Sequence, residues 1–273
     1  MTGNVCAITG ASGYVGGQLA GSLAACSWEV RRLSRGDFDL RHPERVPQLA
    51  GVDALVHAAW DFAVRGSQQE REVNVRGSLA LLAAAQAAGV QRIVFVSTLS
   101  AFDGTPSAYG AAKRLVERAV LASGGVVLRP GLVWSDDVGG MVGALTRLTR
   151  ALPVVPVVGA QQPMWLCHAA DLGRALDACL RAQTLPAEPV PCAHPQPLEF
   201  GAIVRGLARQ AGRHRLLVPV PVWAVALPLR LAETLGLRLR IRSDSLNGLF
   251  ASDPHVDFSR YSEQLPPFRA WSS

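Results

Sequence analysis

The stretch NVCAITGASGYVGG, residues 4–17, decides the fold. Residues 4–9 form a short apolar run that reads as a strand, and glycine ends it at once. Gly10, Gly13 and Gly16 then open a helix expected over residues 14–26. The first glycine permits a tight turn, the second lets backbone approach a pyrophosphate, and the third lets the helix pack closely on the sheet. The helix N-terminus adds unpaired N–H groups and a partial positive charge for phosphates. Glycine-rich turns also join strands to helices for no chemical purpose, but this one opens a β–α–β unit. It reads as a dinucleotide-binding turn, with Ser12, Tyr14 and Val15 beside the glycines.

Outward from that turn, strands and helices alternate. EVRRLS (29–34) and DALVHAA (53–59) read as strands, and VRGSLALLAAAQAAG (75–89) as a long helix stopped by glycine. RIVFVS (92–97), AYGAAKRLVERAVLA (108–122) and GVVLRP (125–130) continue as strand, helix and strand. Gly, Val and Pro accumulate over 133–163, with a helix at about 139–151. PMWLCH (163–168), ADLGRALDACLRA (170–182) and PVPCAH (189–194) return to strand, helix and strand, and the remainder is helical or irregular. The expected fold is α/β: a Rossmann-type doubly wound parallel sheet with a small C-terminal substrate-binding lobe. Residues 1–132 plus about 163–195 would form the dinucleotide-binding core, and about 133–162 and 196–273 the lobe.

The composition agrees with one globular chain of 273 residues, 49% apolar and 6% aromatic. The net charge is +6, but the basic residues are almost all arginine and lie scattered, with no stripe to track a nucleic-acid backbone. A mild positive field suits an anionic small ligand. Cys6, Cys26, Cys167, Cys179 and Cys192 are odd in number and lack metal-ligand spacing, so they read as reduced thiols with no metal. The N-terminus runs straight into a strand, which implies no signal peptide and a cytoplasmic protein. The longest apolar stretch, LLVPVPVWAVALPL (216–229), is too short to span a membrane and holds three prolines. Flanked by Arg213, Arg215 and Arg230, it could lie on a membrane surface, but packing on the rest of the chain is favoured. The expected partner is a small-molecule substrate, and a homodimer is compatible.

The end of the second strand selects the dinucleotide. An acidic residue there would hold the ribose 2′-OH of NAD. Here the strand ends RRLSRGD, with Ser34 and Arg35 at that position. A guanidinium beside a hydroxyl suits a 2′-phosphate and favours NADP(H), while Asp37 keeps NAD(H) open.

With these motifs in hand, the chain resembles the extended short-chain dehydrogenase/reductase family, also called the NAD-dependent epimerase/dehydratase family. TGASGYVGG, DALVHAAW, VNVRGSLALLAAA, VFVSTLSAF, YGAAK and CHAADLGRAL occur in the family's order, over roughly residues 4–180. The resemblance implies that Tyr109 is the acid/base for a substrate oxygen. Lys113 lies one helical turn on, where its charge would lower the phenol's pKa, and in the family it also holds the nicotinamide ribose. A hydroxyl at the fourth strand's end would bind the reacting oxygen. Thr98 is chosen because STLSAFDG aligns with STDYVFDG of dTDP-4-dehydrorhamnose reductases, with Ser97 and Ser100 as substitutes. Asp39, Leu40, Ala58 and Ala59 would flank the adenine, and Asn74 matches a helix asparagine of structural and proton-relay role. His57 reads as a core or cofactor-adjacent residue, and His168 and Asp171 as structural, with Asp171 capping or opening the helix over 170–182.

Departures narrow the chemistry. The family's dehydratases carry Asp-Glu after the threonine, whereas Leu99 and Ser100 follow here, so water elimination lacks its acid and base. Trp60 and Trp134 are expected to wall the substrate pocket. Arg147, Arg150 and Arg242 could meet a diphosphate, although solvated helix faces are the commoner role. Three functions stand. The first is a ketone reductase using NADP(H), on a nucleotide-sugar-like substrate. The second is a nucleotide-sugar 4-epimerase holding NAD, and the third a non-catalytic cofactor-binding regulator.

Overall fold

The computed structural model describes residues 4–64, 66–137, 139–212, 215–222, 224, 251–253, 255–261 and 264–272. Arg213, Arg230 and Arg242 lie outside the described residues, as does much of the apolar stretch 216–229.

The alternating pattern folds as one six-stranded sheet. Its strands are β1 (Val5–Thr9), β2 (Glu29–Leu33), β3 (Ala54–His57), β4 (Arg92–Val96), β5 (Val126–Pro130) and β10 (Val190–Cys192). They lie in the order β10-β5-β4-β3-β1-β2, and every pairing is parallel. Side chains of successive residues take opposite faces, so each strand feeds two cores. Cys6, Ile8, Ala54, Val56, Val94, Val96, Val126 and Leu128 pack beneath α1 (Tyr14–Ala25) and α6 (Ala169–Arg181). Ala7, Leu55, Ile93, Phe95 and Val127 pack beneath α3 (Arg76–Ala87) and α4 (Ala108–Ala122). Burial on both faces is why these strands read as continuous apolar runs. From β1 the chain goes to β2 on one side, then returns to β3 on the other. The crevice at their carboxyl ends is therefore the switch point where such sheets bind ligands.

Helix entry differs from expectation at one place. The helix read from residue 75 is preceded by α2 (Gly66–Gln69) and a π-helical stretch, Glu70–Val75. Wider turns interrupt the 3.6-residue period, and the segment is polar, so no apolar stripe announces it.

A third core belongs to the lobe. β6 (Leu132–Trp134) pairs with β9 (Leu166–His168), β7 (Val154–Val158) with β12 (Leu216–Val220), and β8 (Pro163–Met164) with β11 (Leu198–Glu199). Trp134, Val155, Val157, Met164 and Leu166 meet Phe200, Ile203, Val204 and Leu207 of α7 (Phe200–Gln210), and α5 (Gly140–Ala151) packs alongside. Val256, Phe258, Tyr261, Leu265 and Phe268, grouped from sequence with the lobe, pack instead against the core under α1 and α6. Asp171, 0% exposed, anchors this returning tail. Its carboxylate accepts from the Arg269 backbone N at 2.7 Å and pairs with the Arg269 and Arg174 guanidiniums at 2.8 and 2.9 Å. Asp171 stands in the first turn of α6, as expected, while the cap itself is His168, which accepts from Ala170 N at 3.2 Å. Among the described residues no helix is long and apolar enough to cross a membrane.

Candidate active site

The glycine turn is built as a close approach. Gly10 has φ +72°, and a Cβ there would lie 2.7 Å from Ala59 N. A Cβ at Gly16 would lie 2.2 Å from Gly10 O, so α1 sits directly on the turn. Gly13 caps α1 with no side-chain hydrogen bond, which leaves the first-turn N–H groups facing the crevice beside exposed Ser12. This close packing, which any side chain at Gly10 or Gly16 would force apart, sets the helix N-terminus on the turn in the way that fits the pyrophosphate of a dinucleotide. Tyr14 and Val15 follow on the first turn of α1, where the Tyr14 ring lies against Gly139 and Gly140 and its hydroxyl meets Ser135 Oγ at 2.9 Å.

At the end of β2 the Ser34 hydroxyl and backbone N both donate to Asp37, at 2.7 and 2.8 Å. These bonds hold the Asp37 carboxyl below its usual pKa and occupy it inside the turn, while Arg35 stands exposed. Asp39 accepts from Arg41 N, and buried Leu40 packs on Gly77. Arg41 itself pairs with Asp61 at 2.6 Å. Sequence reasoning passed over Arg41, whose position beside Asp39 and Leu40 was its signal.

Tyr109 lies on the first turn of α4, which Ser107 caps through Gly110 N. Its hydroxyl hydrogen-bonds the Thr98 side chain. Thr98 is thus the strand-end hydroxyl on the phenol, whereas Ser97 is buried with an unpartnered Oγ and Ser100 is also buried. Trp60 packs edge-on against the Tyr109 ring with centroids 5.7 Å apart, and Phe62, 74% exposed, lies tilted against it at the same distance. Trp134 is placed differently. It is packed into the lobe's core, edge-on to His168, rather than on an open pocket wall.

Lys113 is 3% exposed. Its ammonium donates to Val96 O at 2.7 Å and lies 4.2 and 4.5 Å from the Trp60 and Phe95 ring centroids. Burial pulls its pKa down to about 7, opposed by the Glu117 and Glu70 carboxylates. The phenol departs from expectation: burial and the Glu70 charge raise Tyr109 above the usual value, opposed by the Thr98 hydrogen bond. The ammonium points to the Val96 carbonyl and the aromatic faces, so the expected lowering by Lys113 is outweighed. Lys113 is also the single lysine among 27 Lys and Arg residues, a signal present in the sequence and not used.

Behind the dyad the Asn74, His57 and Ser78 side chains are engaged in hydrogen bonds. Asn74, 0% exposed, accepts from Asp61 N at 2.8 Å and donates to Asp61 O at 3.1 Å and to Glu70 Oε2 at 2.7 Å. Its side chain is therefore committed to structure. His57 Nδ1 meets Thr9 Oγ1 at 2.7 Å, and Nε2 meets Ser78 Oγ at 2.8 Å. Ser78 donates to Asn74 O at 2.6 Å, which leaves its oxygen to accept from Nε2–H. Burial and the Lys113 charge push His57 down to about 3, so it is a neutral core imidazole. Glu70 is the other residue sequence reading missed, since it sits in the unpatterned π-helical stretch.

The comparisons with known proteins agree with this geometry. The NAD dependent epimerase/dehydratase family matches residues 6–189. A ceramide reductase of Caulobacter vibrioides is 30% identical over 235 residues, 80% of this chain and 74% of that protein. A 4-hydroxy-2-methyl-3-oxo-4-farnesyl-3,4-dihydroquinoline-1-oxide ketoreductase of Stigmatella aurantiaca is 30% identical over 203 residues, 60% of this chain and 61% of that protein. Among solved structures, dTDP-4-dehydrorhamnose reductase of Bacillus anthracis in complex with NADP superposes with a TM-score of 0.70 at 17% identity, covering 90% of this chain and 97% of that one.

Proposed function

Because the chain belongs to the NAD-dependent epimerase/dehydratase family, we propose that it reduces a ketone carried on an apolar chain, with NADP(H) as the hydride carrier. The carrying observation is the aromatic mouth over Tyr109. Phe62 lies 74% exposed against the phenol ring, and Trp60 closes the other side. An exposed aromatic at a reacting hydroxyl invites apolar substrate, because covering it releases ordered water. The names of the Caulobacter and Stigmatella relatives favour an apolar substrate over the expected nucleotide sugar. The nucleotide-sugar reading keeps the support of a dTDP-4-dehydrorhamnose reductase of Burkholderia thailandensis, 33% identical over 188 residues, 60% of this chain and 62% of that protein, and of the dTDP-4-dehydrorhamnose reductase fold.

When bound, the dinucleotide supplies the hydride. The turn Gly10, Ser12, Gly13 and Gly16, with Tyr14 and Val15, would hold its pyrophosphate, and Asp39, Leu40, Ala58 and Ala59 its adenine side. Arg35 would meet a 2′-phosphate, since Asp37 is occupied by Ser34. Lys113 would reach the nicotinamide ribose. Thr98 orients the ketone oxygen, and Tyr109, raised by burial and so protonated at neutral pH, donates the proton to it. Lys113 then offsets the negative charge left on the phenol oxygen.

The test is NADPH consumption by purified protein with long-chain β-keto substrates and, in parallel, a 4-keto nucleotide sugar. Turnover with the apolar ketones, lost in Tyr109→Phe with NADPH binding intact, is the expected result. Protein that carries NAD through purification and consumes no NADPH with any ketone would sink the reading in favour of an epimerase.

A further inference from the structure

The outer face of the lobe is apolar where contact with water favours polar residues. On α5, Val142 and Leu145 pack on the lobe's core. Thr146 and Thr149 are buried too, with their hydroxyls donating back to Val142 O and Thr146 O, both at 2.9 Å. Met141, Leu148 and Leu152 instead lie exposed, Met141 to 42%. Their spacings of seven and four residues put these three on one stripe of the helix. The stripe continues onto the ribbon of β7 and β12. Val155 and Val157 turn into the core, so Val154 and Pro156 turn outward, and the parallel register sets Leu216 beside Val154 and Val218 beside Pro156. Leu216 is 64% exposed. Helix and ribbon are tied together: Leu216 N donates to Pro153 O at 3.3 Å, and the Arg215 guanidinium donates to Thr149 O and Arg150 O at 2.9 and 3.0 Å. Single exposed apolar side chains are ordinary, but a continuous face of them marks a contact surface.

Charge selects what this face meets. Residues 139–170 and 200–222 contain Arg147, Arg150, Arg205, Arg209, Arg213 and Arg215 and neither Asp nor Glu. Arg147 and Arg150 are exposed alongside the stripe of α5, and Arg205 and Arg209 are exposed on α7, which packs against α5. A second copy of the chain laid on this face would set arginine against arginine. A nucleic-acid backbone would answer the charge but leave the apolar stripe in water. An anionic bilayer answers both, because apolar side chains enter the boundary beneath the headgroups while guanidiniums stay with the phosphates. We infer that the outer face of α5 and of the β7–β12 ribbon is a docking surface for an anionic phospholipid bilayer. The Tyr14 ring lies against Gly139 and Gly140 at the start of α5, so the docked stripe begins beside the glycine turn. The docking does not depend on which reaction the site performs.

The test is co-sedimentation of the full chain with vesicles of phosphatidylcholine containing about 30% phosphatidylglycerol, and with vesicles of phosphatidylcholine alone. The protein should pellet with the first and stay in solution with the second, and raised salt should release it. Leu148→Gln combined with Leu216→Gln should weaken the partition by about tenfold or more, and Arg147→Gln combined with Arg150→Gln by about as much. Thermal unfolding of each variant checks that it is folded. Hydrogen exchange on the wild-type protein needs no variant: the anionic vesicles should slow exchange in peptides covering 141–152 and 216–220. A protein that ignores anionic vesicles overturns the inference. Binding that the leucine pair leaves unchanged, or protection confined to other segments, reduces the effect to general attraction of a basic protein and overturns it as well. A dimer in sedimentation velocity that the leucine pair dissolves gives the face to a second copy and rejects the bilayer. None of these readouts uses turnover, so a failed ketone assay and a failed docking surface are separate results.

Discussion

Gly16→Ala places a single methyl group where the fold is tightest. Its Cβ would stand 2.2 Å from Gly10 O and 2.6 Å from Gly10 C, both backbone atoms that cannot rotate away. Ordinary contact begins at 3.4 Å, so α1 and the turn must separate by about 1 Å. Overpacking of this kind costs about 1–3 kcal/mol of stability. The same displacement withdraws the helix N–H groups from the pyrophosphate. Loss of one hydrogen bond to a charged group, about 1.5–3 kcal/mol, weakens NADPH binding by about ten- to a hundredfold. Gly21→Ala is the control on the same helix, because a Cβ there meets nothing within 4 Å. It should raise stability by up to about 1 kcal/mol through helix propensity and leave NADPH affinity unaltered. Calorimetric titration with NADPH and urea unfolding read both quantities. A Gly16→Ala protein that binds NADPH as tightly as wild type, with an unchanged unfolding midpoint, would refute the cradle.

Three further outcomes are expected. Arg35→Ser should weaken NADPH by about ten- to a hundredfold while sparing NADH, read as the ratio of the two dissociation constants. His57 is depressed to about 3 in the fold from its ordinary 6.5, so below pH 6.5 the unfolded chain binds a proton that the native protein refuses. Stability should therefore fall as pH drops from 6.5 toward 3, and urea midpoints of His57→Gln should follow an acid limb shallower by up to about 1.4 kcal/mol per pH unit. Arg269→Ala removes the Arg269 guanidinium from the fully buried Asp171 carboxylate while keeping the backbone N–H donor. It should lower the unfolding free energy by a few kcal/mol, whereas Arg269→Lys should recover part of the loss.

The alternation of apolar runs with helical periods was enough to place the parallel sheet, because the inner strands are buried on both faces and so read as apolar runs, and glycine marks the turn after β1. The positions of the glycine turn, Tyr109, Lys113 and Thr98 at strand ends and on one helical turn were readable for a related reason: local geometry sets their spacing. What tertiary structure alone decided concerns groups that meet across elements. Sequence put Trp134 on the pocket wall, yet it packs into the lobe's core, and the tail divides, with Val256 to Phe268 on the core under α1 and α6 and Trp271 on the lobe. Sequence also assigned a lowered phenol to the Tyr–Lys pair, but the balance depends on burial and on Glu70, 39 positions before Tyr109 and hidden in a stretch with no period. Proton affinities answer to desolvation and through-space charge, and neither is encoded in the spacing of neighbours along a chain.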